Sequence, residues 1–264
     1  YPPYFLDDAF LDFSPHVAAA ASTLGFDFET MRAAAARLYG LLHGGLTNRH
    51  LEQWLENDGS RFAFAASLLD EPKILEWLRF KATLVEELIR GFRSVLSAEG
   101  KQLVPNAFPP PFSLLSGMDF SRAARHCDGL SVKLYTMHWP MILRFWAEAL
   151  LKSNPGLSQE LVVAALARWM DLDDQPKPAL SDYRYPEPGE SHTAGTAAME
   201  RKLRQARSRA GQTPIYALAH GYGPTSDFAR RLRAAWSGAQ GLVWVNRYGY
   251  LSDEKLEAIG AICR

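Results

Sequence analysis

The period of the hydrophobic positions changes repeatedly along this chain. In "SPHVAAAASTLG" and "DFETMRAAAARLYGLLHGG" each stretch opens on a Ser or Asp and closes on Gly, which predicts two capped helices. "WLRFKATLVEELIRGFRSVLSAEG" predicts a long amphipathic helix ending at Gly100. "DFSRAARHC" reads as a helix capped by Asp119 or Ser121, and "MILRFWAEALLKSN" and "SQELVVAALARWMDL" carry apolar residues at helical spacing. "TAAMERKLRQARSRAG" predicts a basic, mostly exposed helix with a glycine stop. "SDFARRLRAAWSG" and "SDEKLEAIGAIC" each open on Ser-Asp and complete the helical set. Between the helices lie short apolar runs, which predict strands near 3–7, 101–107, 129–136, 213–220 and 241–247.

Strands that alternate with helices argue for parallel βαβ units. Runs such as "GLVWV" and "PIYALA" are apolar on both faces, as a helix-covered parallel sheet requires. The fold class expected is therefore α/β. Five parallel strands suit an open sheet or the last five units of a TIM-type (β/α) barrel. No glycine-rich phosphate loop follows any strand, which weakens a nucleotide-binding open sheet. The chain opens on Tyr1 without Met, and the barrel reading expects three further βα units before it. Residues 1–264 then form a single barrel domain, incomplete at its N-terminus. The polar, Pro-rich stretch 171–196 is too long for an ordinary connector, and reads as a lid over the site or as disordered chain.

Composition narrows the function classes. Hydrophobic residues make up 47% of the 264, enough for a core. Lys plus Arg and Asp plus Glu both number 29, so the global basic charge of a phosphate-neutralising nucleic-acid binder is missing, and no nucleic-acid partner is expected. No apolar run approaches ~18 residues, so no membrane partner is expected either. Cys127 and Cys263 fit no metal or redox spacing and are expected as buried free thiols. With no visible signal peptide or disulfide framework, a soluble, cytoplasmic protein is favoured. The seven histidines do not pair at ligand spacing. His16, His43, His50, His126 and His192 fall in helices or loops without evident partners, and neither metal nor cofactor is expected.

In parallel α/β architectures ligands bind at the carboxyl ends of the strands. Those ends carry Asp7 and Asp8, then Asn106, then Lys133, Tyr135 and His138, then His220 and Tyr222, and finally Asn246, Arg247 and Tyr248. Each has a structural reading beside the functional one. Asp7 and Asp8 could cap a turn, and Asn106 could hold one. His138 and Trp139 could open the next helix, His220 could be a bonded core histidine, and Arg247 could sit in a structural ion pair. Strand alternation sets Lys133, Tyr135 and Met137 on one face, against Val132, Leu134 and Thr136 on the other. A lysine there must reach a carboxylate or open solvent.

Three stretches carry a resemblance: "PPYFLDDAFLDFSPHVAAAASTLGFDFETMRAA", "GMDFSRAARHCDGLSVKLYTMHWPMI" and "GLVWVNRYGYLSDEKLEAIGAI". Together they resemble uncharacterised glycoside-hydrolase-like barrels, although the first lacks the cysteine pair of that pattern. The resemblance implies a (β/α) barrel and hydrolysis of a glycosidic bond, with Asp7 or Asp8 as acid/base or nucleophile. Such chemistry needs two carboxyl groups ~5 to ~9 Å apart. No Asp or Glu closes the other strands; Asp182, Glu187 and Glu190 of the long stretch are reserve candidates. Tyr135, Trp139, Tyr222 and Tyr248 suit stacking on a sugar ring, with Asn106, Lys133, His138, His220, Asn246 and Arg247 for its hydroxyls. The expected partner is carbohydrate or another small polar substrate. Two rival readings remain: a barrel that binds carbohydrate without cleaving it, and a lyase or aldolase-type enzyme built on Lys133. Oligomeric state has no signal in the sequence.

Overall fold

A computed structural model of the chain describes residues 4–11, 13–56, 71–172, 177 and 179–264. It is α/β, with one parallel sheet of four strands in the order β1-β2-β3-β4. The strands are β1 (Asn106–Ala107), β2 (Leu130–Leu134), β3 (Ile215–His220) and β4 (Val243–Asn246). All three pairings are parallel, and the register aligns Leu134 with Ala219 and His220 with Asn246. The carboxyl ends therefore finish at one edge of the molecule.

Strand order that follows chain order means that every crossover advances the same way. Right-handed crossovers then put all connecting helices on one face. That face of the sheet is Leu130, Val132 and Leu134 of β2, Ile215, Ala217 and Ala219 of β3, and Val243 and Val245 of β4. The β2 and β3 members are at most 3% exposed. Helices α7 (Thr196–Ala210) and α8 (Thr225–Gly238) pack on it and on each other. Their crossing is close because of Gly238, where a Cβ would lie 2.6 Å from Leu203 Cδ1. The opposite face carries Ser131, Lys133, Tyr216, Leu218, His220, Trp244 and Asn246. There Tyr216 and Trp244 stack at 4.6 Å, and Trp244 is 41% exposed.

The other helices of eight or more residues among the described residues are α1 (Pro15–Thr23), α2 (Phe28–Gly40), α3 (Asn48–Leu55), α4 (Pro72–Ala98), α5 (His138–Ser153), α6 (Gln159–Trp169) and α9 (Asp253–Ile262). Four caps are those the sequence announces, while Ser226-Asp227 is not one, because α8 already starts at Thr225 after Pro224. Ser14 Oγ accepts from the Val17 N–H, Asp27 from Thr30, Ser158 from Leu161 and Ser252 from Lys255. Helices α1, α2 and α4 close a satellite core around Met31, Trp77 and Phe80, while Ile89 of α4 reaches the main core under the sheet. No helix among the described residues is long and apolar enough to cross a membrane.

Four expectations are corrected. The segment 3–7 is not a strand among the described residues: Leu6–Phe10 is a 3-10 turn. Leu6 and Ala9 bury at helical spacing, and the Asp8 carboxylate accepts from the Phe5 N–H at 3.4 Å. Among the described residues the sheet thus has four strands rather than five and is open, with β1 and β4 as edges. Strand β2 stops at Leu134, so Thr136 and Met137 are both buried instead of alternating. Helix α7 is not mostly exposed, since Ala198, Met199, Lys202, Leu203, Ala206 and Ala210 are buried. Cys127 and Cys263 are free but only half-buried.

Candidate functional site

Beyond β2 the chain turns through Tyr135–Met137 and enters α5. Pro140, in the first turn of α5, needs no N–H partner there. Trp139, 2% exposed, anchors that turn in the core. The face of α5 bearing His138, Met141, Ile142 and Phe145 then stands over the sheet end at the helical spacing i, i+3, i+4, i+7. Opposite it lie Phe108 and Phe112 from the loop after β1, and Tyr4 and Phe5 from the chain start. These walls enclose a cavity of about 430 Å³, with Lys133, Tyr135 and Arg247 supplied from the ends of β2 and β4. That volume suits a small organic ligand.

Beside the cavity six rings form a closed circuit. Tyr135 meets His138 at 5.8 Å, His138 meets Tyr185 at 5.7 Å, and Tyr185 meets Tyr222 at 5.3 Å. Tyr222 meets Tyr250 at 5.5 Å, Tyr250 meets His220 at 5.5 Å, and His220 returns to Tyr135 at 4.8 Å. Polar bonds fix the rings. Tyr4 Oη and His138 Nδ1 are 2.6 Å apart, and Asn246 Nδ2 donates to the Tyr135 hydroxyl. The Tyr222 N–H donates to His220 Nδ1 at 3.1 Å, so the neutral His220 ring carries its proton on Nε2. Tyr222 Oη donates to the Pro186 carbonyl at 2.9 Å. The described part of the long stretch therefore lies against the strand ends, with Tyr183 buried at 1% exposure.

Under this circuit lies a buried charge network. Arg231 on α8 donates to the carbonyls of His220 (3.0 Å) and Tyr222 (2.5 Å) and through Nε to Asp227 Oδ2 (2.7 Å). Asp227 also takes Arg230 at 2.6 Å and the His192 N–H at 3.3 Å. Lys255 of α9 donates to Gly221 and Tyr250 carbonyls at 2.8 and 2.9 Å. The loop after β3 is thus held by two cations, Arg231 and Lys255. Burial, followed by the charges of Arg231 and Arg247, pushes His220 down to about 4. Burial and Arg231 push His192 down to about 3, and burial lowers His138. All three are neutral imidazoles at neutral pH. Burial also lowers Lys133, whose ammonium lies 5.0 Å from the Phe108 ring centroid.

Of the residues expected from sequence, Lys133, Tyr135, His138, Trp139 and Arg247 line the cavity together. His220, Tyr222 and Asn246 adjoin it through the ring circuit and the bond to Tyr135. Asn106 is exposed on edge strand β1, and Tyr248 is 78% exposed; neither lines the cavity. Asp7 is 61% exposed and pairs with His43 at 2.8 Å, and Asp8 caps its own turn. Glu190 pairs with Arg184 at 2.8 Å and also accepts from the Glu187 N–H, while Asp182 accepts from the Ala179 N–H. Histidines that the sequence left without partners have them: His50 accepts from the Thr47 N–H, His126 meets Glu86, and His192 meets Thr136 Oγ1 at 2.7 Å.

Sequence reading missed Tyr4, Phe108, Phe112, Phe145, Tyr185 and Tyr250. The run "FPPPF" directly after a strand end was a usable signal for two of them, and the α5 spacing for Phe145. Tyr185 sits in polar chain with no local signal. Among the described residues no group of His, Cys, Asp or Glu could hold a metal ion. Compared with protein-family models, curated proteins and solved structures, the chain matches none.

Proposed function

We propose that this chain is part of a glycoside-hydrolase-like (β/α)8 barrel, and that its strand-end cavity binds a carbohydrate rather than cleaving one. The single observation that carries this reading is the cavity of about 430 Å³ with stacking surfaces, hydroxyl-binding groups and, among the described residues, no Asp or Glu in its lining. Phe108 and Tyr135 suit the apolar face of a pyranose, and Lys133, His138 and Arg247 suit its oxygens. Consecutive parallel order with helices on one face supports the barrel, since a sector of such a barrel has that winding. The face bearing Lys133, Leu218 and Trp244 is then its lining. Hydrolysis by Asp7 or Asp8 is less supported, because each carboxylate is engaged elsewhere and a second one is needed nearby.

Tryptophan fluorescence titration with mono- and oligosaccharides, run beside chromogenic glycosides, tests the reading. Saturable binding without turnover is expected, weakened about tenfold by Tyr135→Ala, and unchanged in Asp7→Asn and Asp8→Asn. Turnover that disappears in either Asp variant overturns the non-catalytic conclusion, and absence of any sugar binding overturns the site. The Lys133-based lyase has one observation in its favour: a half-buried amine whose proton affinity is lowered by desolvation. A borohydride-trapped adduct on Lys133 with small carbonyl compounds would establish it instead.

A further inference from the structure

The protein treats its buried cations consistently. Lys202, fully buried, donates to the carbonyls of Met170 and Pro110 at 2.5 and 2.8 Å. Lys255 takes two carbonyls, Lys81 takes the Ala9 carbonyl at 3.3 Å, and Arg231 takes Asp227 and two carbonyls. Lys133, half-buried, differs from them. Among the described residues it has no hydrogen bond or ion pair, and its contact is the Phe108 ring at 5.0 Å. Arg247 shares the cavity, and among the described residues its guanidinium also forms no ion pair. It is carried there by a left-handed backbone turn at φ 67°, stabilised by its own N–H donating to Asn246 Oδ1 at 2.7 Å.

Two cations thus face one cavity from the ends of two different strands, and among the described residues no carboxylate lines it. An ammonium taken partly out of water without an acceptor is costly, and a bound anion removes that cost. Two neutral polar groups of the same lining, Tyr135 and His138, already have partners in Asn246 and Tyr4. We infer that the ligand of this cavity carries an anionic group, a carboxylate or a phosphate ester, on a ring-sized body. The ring packs against Phe108 and Phe145, and the anion bridges Lys133 and Arg247. This rests on the carbohydrate-site reading above and narrows it to acidic or phosphorylated sugars.

The test is calorimetric titration with glucose, glucuronate, glucose 6-phosphate and inorganic phosphate, at low and high NaCl. At least one of the two sugar anions should bind about tenfold or more tighter than glucose, as one charge-assisted bond provides, and lose that advantage at high salt. Glucuronate against glucose 6-phosphate separates carboxylate from phosphate. Lys133→Met and Arg247→Gln should each bring the affinities for the sugar anions and for glucose together; Arg247 is exposed, so its variant folds even if the other does not. Equal binding of glucose and both sugar anions overturns this inference and leaves the sugar site standing. Inorganic phosphate binding as tightly as glucose 6-phosphate keeps the anion and overturns the sugar. A preference that survives both substitutions overturns the assignment to these residues, and no binding by any probe overturns both readings.

Discussion

Asp227→Asn is the substitution whose effect the structure specifies best. The Asp227 carboxylate is 0% exposed and Arg231 2% exposed. One oxygen accepts from Arg231 Nε at 2.7 Å and from the His192 N–H at 3.3 Å; the other accepts from Arg230 at 2.6 and 3.1 Å. Asparagine keeps the shape but removes the charge and turns an amide donor toward a guanidinium. Arg231 cannot retreat to water, because its remaining donors hold the carbonyls of His220 and Tyr222. Breaking a buried pair from one side costs about 3–5 kcal/mol, against about 0–1 kcal/mol for an exposed pair. Urea denaturation followed by circular dichroism should show a loss of that size, with the midpoint falling by roughly 1–2 M. The double variant Asp227→Leu/Arg231→Met should lose clearly less than the sum of its singles, since no uncompensated charge remains. Burial raises the Asp227 carboxyl, but the bonds and charges of Arg231 and Arg230 outweigh it and leave the group below its ordinary value. Its contribution is therefore complete above the unfolded value near about pH 3.9, and is lost as pH falls through the lower folded value. A loss below about 1 kcal/mol for Asp227→Asn would show that this network does not hold the β3 loop.

Two further outcomes follow from the same geometry. Lys202→Ala leaves the buried Met170 carbonyl and the half-buried Pro110 carbonyl without their ammonium; at about 1–3 kcal/mol for the buried acceptor the loss is at least about 1–3 kcal/mol by urea denaturation, and a loss under about 1 kcal/mol refutes it. His220 should titrate by NMR with a midpoint of about 4. Because the folded value lies below the unfolded one near about 6.5, its stabilising contribution is complete above that pH and declines as pH falls toward the folded value; a midpoint above 6 would contradict the buried, cation-flanked environment.

What the sequence determined by itself is local. Ser14, Asp27, Ser158 and Ser252 name their helices because a capping side chain reaches only its own first turn. The strands around 130–134, 215–220 and 243–246 were legible because continuous apolar runs demand burial on both sides or alternation. Lys133, Tyr135 and Arg247 could be placed at strand ends for the same reason. The segment 3–7 misled because a short apolar run has no period long enough to separate a strand from a 3-10 turn. Only the tertiary structure decided the rest. Tyr4 lies 134 positions from His138, and Tyr135 lies 111 from Asn246, so neither pair has a sequence signature. Lys202 on a helix that reads as basic and exposed is buried because Met170, Pro110 and Trp139 converge on it from three other elements. Caps and periods are properties of neighbours in the chain, whereas cavities, ion networks and an open sheet edge arise from which surfaces meet.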